Sequence, residues 1–325
     1  MPLALSEISV VGLGSDSKDA ALACAFSPGG ERCCVSVGSH VEQFTHDGST
    51  AGRSINGAAC GGKYLKDPVV SLAFRPEGAA SKLKNTLAIG CSDGSLLYWH
   101  LGSHKVIASA EEVGNEIYSV EFTTGGSALT TAGKDSKVRV YDPDTLKCTA
   151  VLSEGAIGAA SHTSRIQCLS AVSENCVLSG GWDNLMCLWD IRAPKSVSTI
   201  YGPYICGDAI SVYGGNTVLT CSARNEKQIQ LWDLRGGGAT PFAEKSILPS
   251  EGTSVAHLYS GGFSPSGKEV VVGGINLLHT YSIAPNAPPV EVPIQGTHCG
   301  SIFSISKFDS KFLGCGTHCY FGSWL

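Results

Sequence analysis

Long apolar runs and blocks of charge are both missing from this sequence of 325 residues. No apolar stretch approaches the roughly 20 residues of a membrane helix, so we expect no insertion into a membrane. No run of Lys or Arg stands out, only 16% of the residues are charged, and the formal net charge is −5. Because nucleic-acid-binding proteins carry a basic patch, we expect no nucleic acid as the partner.

The CxxC spacing of metal and redox sites is missing too, although the chain holds 14 cysteines. Most of them stand singly in apolar runs, as Cys24 and Cys187 do, where Cys acts as a small buried hydrophobe. There is no CxxC pair, and residues 1–14 lack the basic and apolar regions of a signal peptide. These features predict a reducing intracellular compartment, the cytoplasm, with the nucleus as the alternative.

Glycine is abundant, and a repeat accounts for it. The 40 glycines exceed the average share of about 7% and indicate many tight turns. One unit recurs: an alternating strand, a Gly/Pro/Ser turn, a second apolar strand, a short polar loop and a third strand. The seven turns lie at 26–30, 74–78, 122–126, 171–175, 212–216, 263–267 and 307–310. The third strands are predicted at 40–44, 95–101, 137–142, 185–190, 228–233, 277–282 and 319–325. A spacing of roughly 40 to 50 residues is typical of one four-stranded propeller blade.

Two of the third strands end in a recognisable dipeptide. Trp189-Asp190 and Trp232-Asp233 resemble the pair of residues that names the WD repeat, and Tyr141-Asp142 resembles a common variant. The resemblance covers nearly the whole chain and is strongest in the units ending near Ile191 and Leu234. It implies an all-β, seven-bladed β-propeller of four-stranded antiparallel blades, in a single domain spanning 1–325.

The last unit has only three predicted strands, and an N-terminal strand at 8–13 has no other partner. We expect this strand to complete the last blade and to close the ring, which removes an open sheet edge. The blades are expected at about 20–60, 67–110, 116–153, 164–202, 206–248, 256–296 and 301–325.

The resemblance also implies a buried set of hydrogen-bonded side chains. Only one unit carries the complete set: His162, Ser179, Asp183 and Trp189. A His, an Asp and a Ser also make up a hydrolase triad, but a triad needs an exposed nucleophile and an oxyanion site. The register of the repeat places these residues inside a blade, so we interpret the set as structural and predict no catalytic residue.

Two further arrangements would be needed for a metal site or an active site. Thr297-His298-Cys299 and the run from Cys315 to Cys319 could suggest zinc, but neighbours such as His318 and Cys319 on a strand point to opposite faces. We predict no metal site there and no cofactor. An enzyme built on a propeller would need several acids or His residues converging on the central mouth, and no such set is evident in the sequence.

The loops before the third strands and those between blades are expected to share one rim of the disc. Trp182 lies in such a loop, where other units carry Lys134 or Arg224, and Tyr204 lies between two blades. Trp182 either packs flat against its neighbour or anchors a partner, since Trp, Tyr and Arg are enriched in binding hot spots. Blades 4 and 5 are the predicted contact face.

These residues predict a non-enzymatic scaffold or adaptor that binds proteins or peptides within a multiprotein complex and has no small-molecule substrate. One alternative comes from residues 177–192, which resemble the motif by which WD-repeat substrate receptors dock onto cullin–RING ubiquitin ligases. Arg192 would contact the ligase in that case, and Arg235 follows Asp233 in the same way. The motif overlaps with an ordinary WD repeat; otherwise Arg192 is a surface residue that helps to close a strand end.

Overall fold

The structure is a computed structural model. It describes residues 20–45, 49, 54–57, 60, 65–77, 85–155, 160–193, 195–236, 240–248, 256–284, 287–292 and 300–324, together with the backbone of 6–11. Among these residues the only helical element is a 3-10 turn at Leu234–Gly236. Within the same part of the chain, no helix has the length and apolar character needed to cross a membrane.

Seven sheets follow one another along the chain, and we number them blades 1 to 7. A strand β1 (Ser6–Val11) precedes them. Blade 1 contains β2 (Cys24–Phe26), β3 (Arg32–Val37) and β4 (His40–Thr45); blade 2 contains β5 (Val69–Phe74), β6 (Thr86–Cys91), β7 (Ser95–His100) and β8 (Lys105–Glu111). Blade 3 contains β9 (Ile117–Phe122), β10 (Leu129–Gly133), β11 (Val138–Tyr141) and β12 (Cys148–Leu152).

The remaining blades continue in the same order. Blade 4 contains β13 (Glu154–Gly155), β14 (Ile166–Ala171), β15 (Cys176–Gly181), β16 (Leu185–Asp190) and β17 (Lys195–Tyr201); blade 5 contains β18 (Ile210–Tyr213), β19 (Thr217–Cys221), β20 (Ile229–Asp233) and β21 (Ala243–Lys245). Blade 6 contains β22 (Leu258–Phe263), β23 (Glu269–Gly274), β24 (Leu277–Ala284) and β25 (Ala287–Val292); blade 7 contains β26 (Ile302–Phe308), β27 (Lys311–Gly316) and β28 (Cys319–Ser323). The seven-bladed, all-β prediction is confirmed.

Two blades differ from the expected four strands. In the described residues, blade 1 has three strands and an isolated bridge between Val41 and Ile55. Blade 4 has five strands, because β13 pairs in parallel with β17, Glu154 lying opposite Lys195. The chain leaving blade 3 thus covers the outer edge of blade 4.

The core of the molecule lies between the blades. The second strands β6, β10 and β23 are buried along their whole length, because each sheet is covered on both faces by its neighbours. Where a second strand carries glycine, the first strand of the next blade fills the space. A Cβ on Gly90 would lie 2.6 Å from Val120, one on Gly180 would lie 2.6 Å from Ile210, and one on Gly273 would lie 2.5 Å from Ile302. Six apolar clusters of this kind together span every junction around the ring.

The cysteines take part in this packing. The 13 described cysteines are free thiols, and most are buried, as predicted from their single positions in apolar runs. Burial raises the pKa of Cys34 and of Cys187 to about 12, so both stay protonated and apolar at neutral pH.

β1 lies antiparallel to β28, with Val10 opposite Tyr320 and Val11 opposite Cys319. The strand begins at Ser6, two residues before its expected start, and residues 12 and 13 lie outside the described part of the chain. That β1 is what holds the ring shut stays a prediction.

This prediction can be tested by replacing Ser9 and Val10 together with proline. Successive N–H groups on a strand point to opposite sides, so one of the two prolines removes a donor from the ladder with β28. We expect the free energy of unfolding, measured by chemical denaturation, to fall by about 1–3 kcal/mol. The control, Ser9→Thr with Val10→Ile, keeps both N–H groups and should match the wild type. A proline variant of unchanged stability would show that the ring closes without β1.

Candidate functional site

Four side chains of blade 4 form a single chain of hydrogen bonds. Trp189 Nε1 donates to Ser179 Oγ at 2.7 Å, and Ser179 Oγ lies 2.7 Å from His162 Nε2. His162 Nδ1 lies 2.9 Å from Asp183 Oδ2, which also accepts the backbone N–H of Thr163 at 2.8 Å. Burial raises the pKa of Asp183, but the bonds from His162 and Thr163 outweigh burial and lower the pKa below its usual value.

This set contains the residue types of a hydrolase triad, but its serine is closed to a substrate. The Ser179 side chain is fully buried, and both ring nitrogens of His162 are engaged by Ser179 and Asp183. A nucleophile needs an open face toward its substrate, and Ser179 has none. The arrangement ties two loops to two strands of one blade.

Blade 3 contains a corresponding set that the sequence analysis missed. Glu112, which is buried, accepts hydrogen bonds from Thr131, from Tyr141 OH at 2.9 Å and from Asn115 Nδ2 at 2.6 Å. Its carboxylate also lies 3.1 Å from Arg139, which in turn pairs with Asp135. Thr131, Asp135 and Tyr141 have the same spacing as Ser179, Asp183 and Trp189. This shared spacing was a signal that could have pointed to an acceptor upstream of β9, with Glu112 in the role of His162.

The other tryptophans at this position differ in their polar partner. Trp232 donates to Thr220 at 2.9 Å in blade 5, where the intervening loop is two residues longer. In blade 2 the corresponding position is Ile89, and the buried Trp99 Nε1 has no hydrogen-bond partner in the described residues. The polar set is therefore a feature of particular blades, while the buried tryptophan is the more general one.

Trp182 is exposed on the rim and is ordered by its neighbours. It is 40% exposed, while Trp99, Trp189, Trp232 and Trp324 are buried. The Arg165 guanidinium lies 4.4 Å from the centre of the Trp182 ring system, and the Tyr204 ring lies 6.4 Å away. The two interpretations of Trp182 are thus not exclusive, because it packs against neighbours and keeps an exposed face.

A row of polar contacts extends this patch from blade 4 to blade 3. Arg165 donates to Tyr118 OH at 3.4 Å, and Tyr118 OH donates to Glu116 at 2.5 Å. Lys134, a residue predicted for the rim, pairs with the same carboxylate at 2.5 Å. We call the continuous patch the rim surface; it consists of Glu116, Tyr118, Lys134, Arg165, Trp182 and Tyr204. Arg165 and Glu116, which were not among the residues predicted for the rim, share one register position immediately before β14 and β9.

Arg224 does not join this surface as a free side chain. Its guanidinium donates to the carbonyl of Gly202 at 2.8 Å, to that of Lys227 at 2.9 Å and to Gln230 Oε1. These bonds hold Arg224 against the segment that links blades 4 and 5. The sequence position was on the expected rim, but the side chain is committed to backbone acceptors that no sequence pattern reveals.

Arg192 and Arg235 lie at the other end of their blades. Trp182 follows the end of β15, whereas Arg192 follows the end of the antiparallel strand β16. Arg192 donates twice to Asp190, at 2.9 and 2.6 Å, and Arg235 pairs with Asp233 in the same way. The bonds from Arg192 lower the pKa of Asp190 to about 2. Both arginines close the strand end from which they emerge.

The first strands of all seven blades line a central channel of about 610 Å³. Glu121 of blade 3, Asp208 before blade 5 and Lys307 of blade 7 face into it. The sequence analysis identified no such set, because inner-strand positions in distant blades become neighbours only when the ring closes. Desolvation raises the pKa of Glu121 to about 8 and lowers the pKa of Lys307 to about 8.

No metal site emerges from the residues that the structure describes, which hold no group of three or more His, Cys, Asp or Glu side chains in a ligating arrangement. Thr297-His298-Cys299 lies outside those residues. Cys315 and Cys319 lie opposite each other on β27 and β28 and are fully buried in the packing of the last blade.

The model of the WD domain, G-beta repeat, matches residues 108–142 and 147–190, which cover blade 3 and most of blade 4. The chain contains WD repeats, and its fold is a seven-bladed β-propeller. Its fold matches the solved structure of U3-55K with a TM-score of 0.80 over 99% of both chains, at 14% identity.

Two curated proteins are similar to parts of this WD-repeat chain. The spindle assembly checkpoint protein bub3 of Schizosaccharomyces pombe is 30% identical over 136 residues, which are 42% of this chain and 38% of that protein. Protein Rae1 of Drosophila melanogaster is 26% identical over 145 residues, 43% of this chain and 39% of that protein. The matched segment therefore spans well under half of either relative.

The blade 4 set of the WD-repeat propeller predicts the effect of Ser179→Ala. The variant leaves Trp189 Nε1 and His162 Nε2 without their shared partner inside a buried site, which we expect to cost about 1–3 kcal/mol of unfolding free energy. The exposed Ser153→Ala is the matched control and should change stability by less than about 0.5 kcal/mol. Equal stabilities of the two variants in denaturant titrations would contradict a structural role for the set.

Asp183 predicts a pH dependence of stability. Because the folded pKa lies below the usual value of 3.8, its contribution is fully present above about pH 4 and is lost as the pH falls through the folded pKa. The stability gap between the wild type and Asp183→Asn should be constant from pH 7 to pH 5 and should narrow below pH 4. Denaturant titrations across this pH range measure the stability difference. A difference that widens as the pH falls would contradict a lowered pKa for Asp183.

Proposed function

We propose that this WD-repeat propeller is a non-enzymatic scaffold or adaptor that binds proteins or peptides through the rim surface, within a multiprotein complex. The observation that carries the proposal is the exposed Trp182, held beneath Arg165 and beside Tyr204. Of the five tryptophans, the other four are buried in the blades. An exposed tryptophan between an arginine and a tyrosine combines the three residue types that are most enriched in binding hot spots.

The order already present at this surface supports the same function. Arg165 is placed by two aromatic rings, since its guanidinium also lies 6.0 Å from the centre of the Tyr118 ring. Lys134, Glu116 and Tyr118 hold one another through short polar contacts. Binding costs less when side chains need not be immobilised at the moment of contact, so an ordered patch is a better docking surface than a mobile one.

The names of the relatives support a role in assemblies. One relative is a spindle assembly checkpoint protein, and others are ribosome biogenesis proteins of the WDR12 type. We propose that this chain likewise works by holding partners together, in the cytoplasm or in the nucleus.

The proposal also excludes enzyme activity and nucleic acid as a partner. The buried Ser179 supports the absence of hydrolase chemistry, and the net charge of −5 supports proteins rather than nucleic acid as partners. We propose that the protein uses no cofactor and has no small-molecule substrate. The cullin–RING alternative has no support from the relatives, and the Arg192 guanidinium is already paired with Asp190.

The rim assignment is tested by affinity capture from a native lysate with wild type, Trp182→Ala and Arg192→Ala. Specific partners of the wild type should fall about tenfold in recovery with Trp182→Ala, which corresponds to about 1.4 kcal/mol of lost affinity. Arg192→Ala lies at the opposite end of blade 4 and should retain them. Thermal unfolding of all three proteins controls for folding.

The opposite pattern would overturn the assignment. Partners that survive Trp182→Ala but are lost with Arg192→Ala would move the interface to the other face, and a cullin adaptor among them would revive the ligase alternative. Partners retained by both variants would show that neither surface carries the interaction.

A further inference from the structure

Asp208 connects four blades from inside the channel. It precedes β18 of blade 5, and its Oδ2 accepts a hydrogen bond from Ser304 Oγ of blade 7 at 2.9 Å. Its Oδ1 lies 3.8 Å from Cys168 Sγ of blade 4, and its carbonyl accepts the N–H of Gly261 in blade 6 at 3.3 Å. Asp208 and Ser304 are 96 residues apart in the sequence, so their bond depends on the tertiary structure and not on local structure.

Glycines in blade 6 leave room for this connection. Gly261 and Gly262 lie on β22, the strand between the first strands of blades 5 and 7. A Cβ on Gly262 would already contact Lys307 Cδ at 3.5 Å, so a longer side chain there would occupy the path of Lys307. Lys307 Nζ donates to Ser211 Oγ of blade 5 at 3.0 Å, which is a second bond from blade 7 to blade 5 past blade 6.

The Asp208 carboxyl is reachable from the channel yet surrounded by protein. This desolvation raises the pKa of Asp208, and the bonds from Ser304 and Cys168 and the charge of Lys307 oppose the rise. A carboxylate in such a place is costly unless it is hydrogen-bonded. The bond with Ser304 offsets part of this cost and so favours one position of the residue.

Asp208 also ends the segment that carries part of the rim surface. Tyr204 lies four residues before it, in the link between blades 4 and 5. The earlier part of this link is held by Ile205 N–H to the Gly181 carbonyl at 3.2 Å and by Ala223 N–H to the Tyr204 carbonyl at 3.0 Å. Gly181 directly precedes Trp182, so the placements of Tyr204 and Trp182 are linked through the backbone.

We propose that Asp208 is the positioning residue of the rim surface: its bond to Ser304 across the channel holds the 202–208 segment, and with it Tyr204, against Trp182. Asp208 lines the channel and touches no partner itself. Its importance for binding rests on the proposed function, whereas its hold on the rim surface does not.

The test uses Trp182 as its own probe. Since the other four tryptophans are buried, collisional quenching by acrylamide reports mainly on Trp182, and a Trp182→Phe protein supplies the background. Loss of the Tyr204 contact should raise the quenching constant, up to about 2.5-fold if Trp182 passes from 40% exposed to fully exposed. Asp208→Ala and Ser304→Ala should both show this rise, and Asp208→Asn, which can still accept the Ser304 bond, should stay at the wild-type value.

Ser211→Ala is the matched control, because it removes a serine hydroxyl from the same channel but leaves the Asp208 bond intact. Its quenching constant should equal that of the wild type. The proposal is overturned if Ser304→Ala leaves quenching unchanged, or if Ser211→Ala raises it as much as Ser304→Ala does. Ser304→Ala also decides the matter if Asp208→Ala does not fold.

Partner capture separates this proposal from the proposed function. If quenching rises in Ser304→Ala but captured partners are unaffected by Trp182→Ala, the positioning role holds and the rim is not the interface. If the rim is the interface, Asp208→Ala should reduce capture and Asp208→Asn should restore it.

Discussion

The contact between a glycine of one blade and an apolar side chain of the next underlies the rest of this structure. At Gly90, Gly180 and Gly273 the second strand presents no side chain, and Val120, Ile210 and Ile302 of the following blades fill the space. A blade has no covered core of its own, so it is stable only when its neighbours bury both faces. Each blade is thereby held at a set distance from the next, and the loops at the ends of the strands are carried on a stiff ring.

The polar groups of the ring act at the places that this apolar packing leaves open. In blade 4 the His162 chain ties loops to strands at the end where Trp182 emerges. In blade 3 Glu112 does the same for the loops next to Lys134 and Glu116. The rim surface thus lies over two blades whose loops are hydrogen-bonded from within, which suits a surface that binds without first having to order itself.

Much of the fold was predictable because it depends on local signals. Period-two alternation, turn residues at regular spacing and the two Trp-Asp pairs located the strands of the seven blades. The partners of His162 were predictable for the same reason, since Ser179, Asp183 and Trp189 occupy set positions within one unit. Glu112 was missed because it is a carboxylate and lies 19 residues before Thr131, whereas His162 lies 17 residues before Ser179. The direction of the Arg224 side chain was missed because two of its three acceptors are backbone carbonyls.

By itself, the sequence determined the class of fold, the number of blades and the end of the disc at which Trp182 and Tyr204 lie. Only the tertiary structure decided that Arg165 stacks on Trp182, and that Asp208 meets Ser304 from 96 residues away. The physical reason is that repeat patterns specify contacts within a unit and between successive units. Contacts across the channel join units that are not successive, and they exist only after the ring has closed.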